Sequence, residues 1–325
     1  MITEFVVNAG EKIKRLDTFL VSHERQVSRS RLQRLIVAGR IRVNADVVKP
    51  SHKIKPGDRI TMDTPKPGPL LMNNEIVPLE VLYEDEALLV VNKPAGVVVH
   101  PTSGNWNGTL LNGLLAHLQA RGHANRPNHA DVFPGLVHRL DKETSGVMVV
   151  AKTDHAHRAL AKQFEHHTIT RTYEAFVWNS PKNYTGIIDL PLGRDSRNTK
   201  KFSSNSVHTQ KAVSEYHVLQ RWGNYAAHVL LYPRTGRPHQ LRVHLAALGC
   251  PILGDESYGG QKVCQIQETI IPRVMLHARC LGFQHPSLKT IQEYTAEFPS
   301  DMQAIYQTFQ NETVEYFTSM AHTSS

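Results

Sequence analysis

Three prolines within five residues, Pro65, Pro67 and Pro69, constrain this chain more than any other feature. Proline fixes φ and carries no backbone N–H, so such a stretch enters neither a helix interior nor a central strand. It reads as a linker over residues 63–70. The linker divides a chain of 325 residues into a small N-terminal module and a domain large enough to bury its own core. Charge follows the same division. Residues 1–60 hold thirteen Lys and Arg against six Asp and Glu, a balance of +7 out of the +8 carried by the whole chain. Basic charge gathered on one small module points to an anionic partner for it.

Within that module, Leu16, Phe19 and Leu20 recur at helical spacing. Ser28 or Ser30 is placed to cap a second helix bearing Leu32, Leu35 and Ile36, which Gly39 closes. Ile41-Arg42-Val43 alternates as a strand, Asn44-Ala45-Asp46 turns, and a further strand runs through Ile60 and Met62. Arg29, Arg31 and Arg34 lie on or beside the polar side of the second helix, and Arg40 and Arg42 follow it. Guanidinium groups on a rigid helix suit bidentate contact with phosphate.

Beyond the linker, apolar runs at 87–91, 97–99, 146–150 and 173–177 read as strands. The best helical pattern spans Asp154 to His166, with Thr153 as its cap. Strands outnumber helices and many connections are short. The fold class expected is α+β, with a mixed, mainly antiparallel sheet in a domain over 71–309. The last residues, 310–325, end in small polar side chains and are expected to fray.

Several function classes drop out. Three cysteines without Cys-x-x-Cys spacing argue against a disulfide framework or zinc ribbon and suit a reducing compartment. No apolar run has the length of a membrane span, and Met1-Ile2-Thr3-Glu4-Phe5 lacks the basic start of a signal peptide. His239 and His244 are five apart, a spacing that does not stack two ligands on one helical face, so no metal is expected.

Two strings carry the chemistry. Gly135-Leu136-Val137-His138-Arg139-Leu140-Asp141-Lys142-Glu143-Thr144-Ser145-Gly146 places His, Arg and Asp within four residues just ahead of an apolar strand. Rigidly anchored loops are where catalytic side chains tend to sit, but a structural turn capped by Asp141 reads equally well. Arg234-Thr235-Gly236-Arg237-Pro238-His239-Gln240-Leu241-Arg242-Val243-His244 supplies cations for phosphate or for a buried carboxylate. If residues 239–244 are helical, His239 shares a face with Val243.

In this order, with Val-Asn-Lys-Pro-Ala-Gly at 91–96, Arg-Thr-Tyr-Glu-Ala at 171–175 and Pro-Ile-Leu-Gly-Asp-Glu-Ser-Tyr-Gly at 251–259, the strings resemble the RluA/RluD-type pseudouridine synthases. Residues 13–62 resemble the small RNA-binding domain named after ribosomal protein S-four. The resemblance implies that Asp141 is the catalytic aspartate, attacking the sugar or the base of a target uridine. It implies that Arg242 pairs with Asp141, and that Tyr173 packs on the base and is a candidate to take its C5 proton. Arg139 would enter the RNA stack where the uridine leaves it. Family members commonly carry lysine where Arg171 stands here. Arg237, with the five arginines of the module, is expected to contact RNA.

The implied reaction moves a glycosidic bond from nitrogen 1 to carbon 5. Nothing is oxidised and no phosphate is spent, so neither cofactor, nucleotide nor metal is expected. The expected partner is RNA, large-subunit ribosomal RNA or assembly intermediates first and transfer RNA second, bound by a cytoplasmic monomer away from any membrane. A catalytically idle RNA-binding assembly factor is the rival reading. A glycosidase is a third, and it would need a second carboxylate beside Asp141.

The module should bind RNA with an affinity that falls steeply with salt, with a slope of about −0.7 per phosphate contacted on single strands. Titrations across a salt series, with and without residues 1–62, test this. Binding insensitive to salt or to the deletion would remove the module from recognition.

Overall fold

The computed structural model describes residues 2–10, 14–24, 29–63, 77–101, 107–121, 134–198, 201–261 and 270–323, leaving aside the side chains of 2, 29–31, 34 and 312–323. The chain divides into two compact units, Met1–Met72 and Asn73–Ser325. The expected linker, apart from Asp63, lies outside the described residues.

The first unit contains β1 (Ile2–Val6), α1 (Leu16–His23), α2 (Arg29–Val37), β2 (Ile41–Val43), β3 (Asp46–Val47) and β4 (Arg59–Asp63). The strands form one antiparallel sheet in the order β1-β4-β2-β3. The unit therefore begins upstream of residue 13, because β1 pairs along the whole of β4. Leu16, Phe19, Leu20, Leu32, Ile36, Ile41 and Ile60 fill its core. Asn44 and Ala45 both have positive φ, the conformation a two-residue hairpin requires. Ser30 falls inside α2 rather than at its cap, and Ser28 lies outside the described residues.

The second unit is built on a sheet of ten strands. Its main path uses β5 (Glu80–Glu84), β6 (Leu88–Lys93), β8 (Ser145–Ala151), β9 (Thr170–Trp178), β10 (Thr185–Asp189), β13 (Val213–Trp222), β14 (Ala226–Pro233) and β15 (Leu276–Gln284). Their order is β10-β13-β14-β9-β15-β8-β6-β5, with β7 (Gly135–Leu136) on β8 and β16 (Ile291–Thr295) on β15. Only β8 and β15 run parallel among these pairings, so the sheet is mixed and mainly antiparallel, as expected. A separate hairpin joins β11 (Gly193–Arg194) to β12 (Phe202–Ser203).

Every residue of β8 is buried, which explains why its sequence shows no polar alternation. Val147 and Val149 pack with Ala156 and Leu160 of α4 (Asp154–Glu165). Met148 and Val150 pack with Leu110 and Leu114 of α3 (Leu110–Ala120). Thr153 caps α4 by accepting from the Ala156 N–H at 3.1 Å. The run Val97-Val98-Val99 is not a strand. Its carbonyls are taken by the Lys93 Nζ and by the Leu110 and Leu111 N–H groups opening α3, so none is left for a ladder. The last helix, α6 (Ser300–Thr323), continues past Gln310, where a frayed tail was expected. Met302, Ile305 and Phe309 seat its first half in the core.

Gly146 marks the point where β8 enters the sheet between β6 and β15. Its φ is +119°, and a Cβ there would land on the Ala278 backbone carbonyl. Gly146→Ala should destabilise the fold by about 3 kcal/mol or more, combining backbone strain and overpacking of about 1–3 kcal/mol each. A urea-unfolding midpoint equal to that of the parent protein would refute this.

Candidate active site

The loop ahead of β8 and the start of α5 (Gln240–Ala247) bring the two long strings together. Arg242 Nη1 donates to Asp141 Oδ2 at 3.1 Å, across 101 residues of sequence. No hydrogen bond among the described residues reaches Asp141 Oδ1. The rest of the guanidinium is committed elsewhere. Nε donates to Asp255 Oδ2 at 2.7 Å and Nη2 to Asp255 Oδ1 at 2.8 Å, a bidentate pair. Asp255 is 1% exposed, Arg242 11% and Asp141 22%, so the pair grades from closed interior toward the open site. Burial alone would lower the Arg242 pKa. The hydrogen bonds and charge of Asp255, helped by Asp141, outweigh burial and raise it. The Tyr258 ring lies beneath the guanidinium, 5.0 Å from ring centre to Cζ.

Asp141 sits on a loop clamped by two buried cations. Lys93, the last residue of β6, donates its three ammonium protons to the carbonyls of Pro94 at 2.8 Å, Val97 at 2.8 Å and Lys142 at 3.1 Å. Burial pulls its pKa down to about 7, while three carbonyl acceptors favour the charged form. Arg273 donates to the Glu143 carbonyl and Ser145 Oγ, and forks onto Asp301 of α6 at 2.6 and 2.9 Å. His138 accepts the Val149 N–H through Nε2 and stacks on Phe164. Burial, with the Arg171 charge, pushes its pKa down to about 3.

The second string is fixed mainly by Gln240. Its carbonyl accepts from Thr235 Oγ1 and the Arg237 N–H, and its amide donates to Val213 O and Ser214 Oγ. His239 is not helical. It precedes α5 with φ +54° and therefore does not share a helical face with Val243. His244 places its two ring nitrogens on Ser214 Oγ and Leu190 O, at 3.0 Å each.

A cavity of about 610 Å³ opens here, lined by Asp141, Arg139, Tyr173, Arg237, His239 and Arg242, with Arg171 at its wall. Its volume falls in the roughly 300–1,000 Å³ range typical of small-molecule sites. Burial raises the Tyr173 pKa, with Arg171 opposing and Asp141 reinforcing. Arg171 spends Nη2 on the carbonyls of Pro233 and Thr235, which ties β9 to the loop ahead of α5.

Five of the sequence-predicted residues therefore meet around one cavity: Asp141, Tyr173, Arg242, Arg139 and Arg237. Arg40 and Arg42 belong to the other unit. Arg40 pairs with Asp63 at 2.7 Å on an exposed surface, and Arg42 folds back on the carbonyls of Gly39 and Ala45. The side chains of Arg29, Arg31 and Arg34 lie outside the described residues. Sequence reasoning missed Asp255, Lys93 and Arg273 as supports of the site. Asp255 offered one usable signal, its place in the Gly-rich string 251–259.

Residues 87–247 match the family described as RNA pseudouridylate synthase, and residues 14–60 match the S4 domain. The chain is 42% identical to the ribosomal large subunit pseudouridine synthase D of Zymomonas mobilis, covering 94% of this chain and 97% of that protein. It is 39% identical to the uncharacterized RNA pseudouridine synthase YlyB of Bacillus subtilis, over 92% of this chain and 95% of that protein. Among solved structures, human RNA pseudouridylate synthase domain containing 4 aligns with a TM-score of 0.57 at 27% identity. That alignment covers 71% of this chain and 93% of the human chain.

Asp255→Asn puts an amide NH₂ where Arg242 now meets a carboxylate oxygen. The substitution should lower stability by about 3–5 kcal/mol, the usual cost of breaking a buried ion pair, and should lower turnover with it. A denaturant-unfolding change below about 1 kcal/mol, the scale of a surface pair, would show that Asp255 does not hold Arg242.

Proposed function

Because this chain belongs to the RNA pseudouridylate synthase family, isomerases that convert uridine in RNA to pseudouridine, we propose that Asp141 is its nucleophile and large-subunit ribosomal RNA its substrate. The observation that carries the first part is the asymmetry at Asp141. Oδ2 is held by Arg242, whereas Oδ1 carries no hydrogen bond among the described residues and is free to attack. A carboxylate attacks only while ionised, and a neighbouring guanidinium favours that form.

Oδ1 bonds to the sugar or the base, the N1–C1′ bond breaks, the uracil turns, a C5–C1′ bond forms, and the bond to Oδ1 is released. The C5 proton is lost and N1 gains one, so atoms balance without an external donor. Extruding the uridine costs on the order of a few kcal/mol. Stacking on Tyr173, worth about 1–3 kcal/mol per base, offsets much of it. Arg139, exposed at the mouth beside Asp141, fills the gap left in the RNA stack. Arg237 contributes phosphate contact from the cavity wall, and the arginines of the S4 domain do so from the N-terminal unit.

The substrate assignment is supported by the names of two relatives, from Zymomonas mobilis and Neisseria meningitidis, both called ribosomal large subunit pseudouridine synthase D. The S4 domain is in keeping with it. A cytoplasmic location follows from that substrate.

Pseudouridine mapping in a deletion strain, complemented with parent or Asp141→Asn, tests both parts. The variant should leave the affected uridines unmodified yet bind RNA within about twofold of the parent, since no phosphate contact is removed. Normal modification by the variant would sink the nucleophile assignment. Losses confined to transfer RNA would sink the substrate.

A further inference from the structure

Three observations converge on His239, a residue that the proposed chemistry leaves unused. The first is its backbone. At φ +54° it occupies the left-handed region, uncommon for a side-chain-bearing residue and frequent where strain is stored for function. The second is its Nδ1, 2.7 Å from Tyr258 Oη. That hydroxyl also accepts the Phe202 N–H at 2.9 Å, and no other acceptor for its proton is present among the described residues. The phenol therefore donates to Nδ1, and neutral His239 carries its own proton on Nε2. The third is where that proton points. Nε2 lies 3.8 Å from Asp141 Oδ2, the oxygen that Arg242 already holds.

The imidazole is kept neutral. Asp141 and Arg139 face it from the loop ahead of β8, Arg242 from α5, and Asp255 and Tyr258 from the segment beyond. Burial outweighs the two carboxylates and, with the two arginines, lowers the His239 pKa. Hydrogen bonds of this kind are often long in the free enzyme and tighten when substrate closes the site.

Accepting Asp141 as the nucleophile, we propose that His239 is its positioning residue. Locked by Tyr258 as the Nε2–H tautomer, it donates to Oδ2 beside Arg242 when RNA is bound and leaves Oδ1 as the attacking atom. The chain of donors runs from the Phe202 N–H through the Tyr258 hydroxyl and the imidazole to the carboxylate. It begins on the basic β11–β12 hairpin, where Arg194 lies 5.4 Å from the Phe202 ring and Lys201 Nζ donates to Ser257 O at 2.7 Å.

Two amide substitutions separate this role from a structural one, because they rank oppositely. Asn suits a left-handed backbone better than Gln, but its amide reaches only the place of Nδ1. Gln reaches the place of Nε2 and restores a donor to Asp141. With an RNA transcript as substrate, His239→Gln should exceed His239→Asn in kcat by about tenfold or more, the scale of one charge-assisted hydrogen bond. KM for RNA should stay within about twofold, since the substituted group acts on the carboxylate rather than on RNA binding. Thermal unfolding of both variants removes stability from the comparison. Equal rates, or Asn above Gln, would overturn the proposal.

Tyr258→Phe supplies an independent readout. The ring stays beneath Arg242 while Nδ1 loses its donor and can take a proton. An imidazolium, which keeps its Nε2–H and adds positive charge beside Asp141, would then form, and the acid limb of the kcat–pH profile should move to lower pH. An unmoved limb counts against the relay. Asp141→Asn, assayed alongside, keeps the two claims apart. If it remains active the nucleophile reading fails. If it is inactive while the His239 and Tyr258 variants behave like the parent, the relay alone fails.

Discussion

Arg242 has five N–H donors in a rigid plane and two carboxylates to satisfy, and the way it divides them shapes the whole site. Had it turned its fork to Asp141, both carboxylate oxygens would be tied down in a bidentate pair, the strongest arrangement available and the least reactive. Instead the fork goes to Asp255, and Asp141 receives a single N–H. Asp255 thus serves the chemistry indirectly. It fixes the guanidinium plane, neutralises its charge in a closed setting, and leaves Asp141 held at one oxygen. A second buried cation without such a counter-ion would be costly to desolvate.

The loop bearing Asp141 gains rigidity from its neighbours in the sheet rather than from its own sequence. Lys93 on β6 and Arg273 just ahead of β15 flank β8 on either side, and both bind backbone carbonyls of residues 142 and 143. These are strong anchors, because a buried cation gives up its acceptors only at the full cost of being left unpaired. Arg273 also holds Asp301, so the position of α6 and that of the loop are set by one side chain. Gly146 completes the arrangement by letting β8 approach the Ala278 backbone where a Cβ has no room.

What the amino-acid sequence disclosed followed local rules. Thr153 and the apolar face of α4, the turn at Asn44-Ala45 and the strands at β6, β8 and β9 were legible because capping and periodicity are written in neighbouring residues. The pairing of Asp141 with Arg242 came from two long strings whose likeness to a known family was readable although their contact was not. Val97–Val99 misled because strand propensity cannot register a lysine ammonium that claims a carbonyl. His239 misled because helical spacing says nothing of a left-handed residue ahead of the first turn. Lys93 and Asp255 stood in strings that resembled the family, with no role attached to either. Both roles depend on partners 49 and 13 residues away, and no local pattern encodes such distances.

The charge states around the cavity bear on what kind of enzyme this is. Tyr173 is a half-buried phenol on the cavity wall, and His239, its pKa lowered by burial, lies with Nε2 3.8 Å from Asp141 Oδ2. Two of the acids that a glycosidase would recruit are already engaged. Asp255 is forked by Arg242, and Glu174 accepts from His228 at 2.7 Å and lies 3.4 Å from Arg279. Inverting or retaining hydrolysis recruits a second carboxylate, and these two acids are already paired. Isomerisation makes a lighter demand, since the proton lost from C5 is matched by the one gained at N1. The cavity offers one partly free carboxylate among arginines and already paired acids, an arrangement that leaves no second carboxylate among these to direct water at a detached uracil.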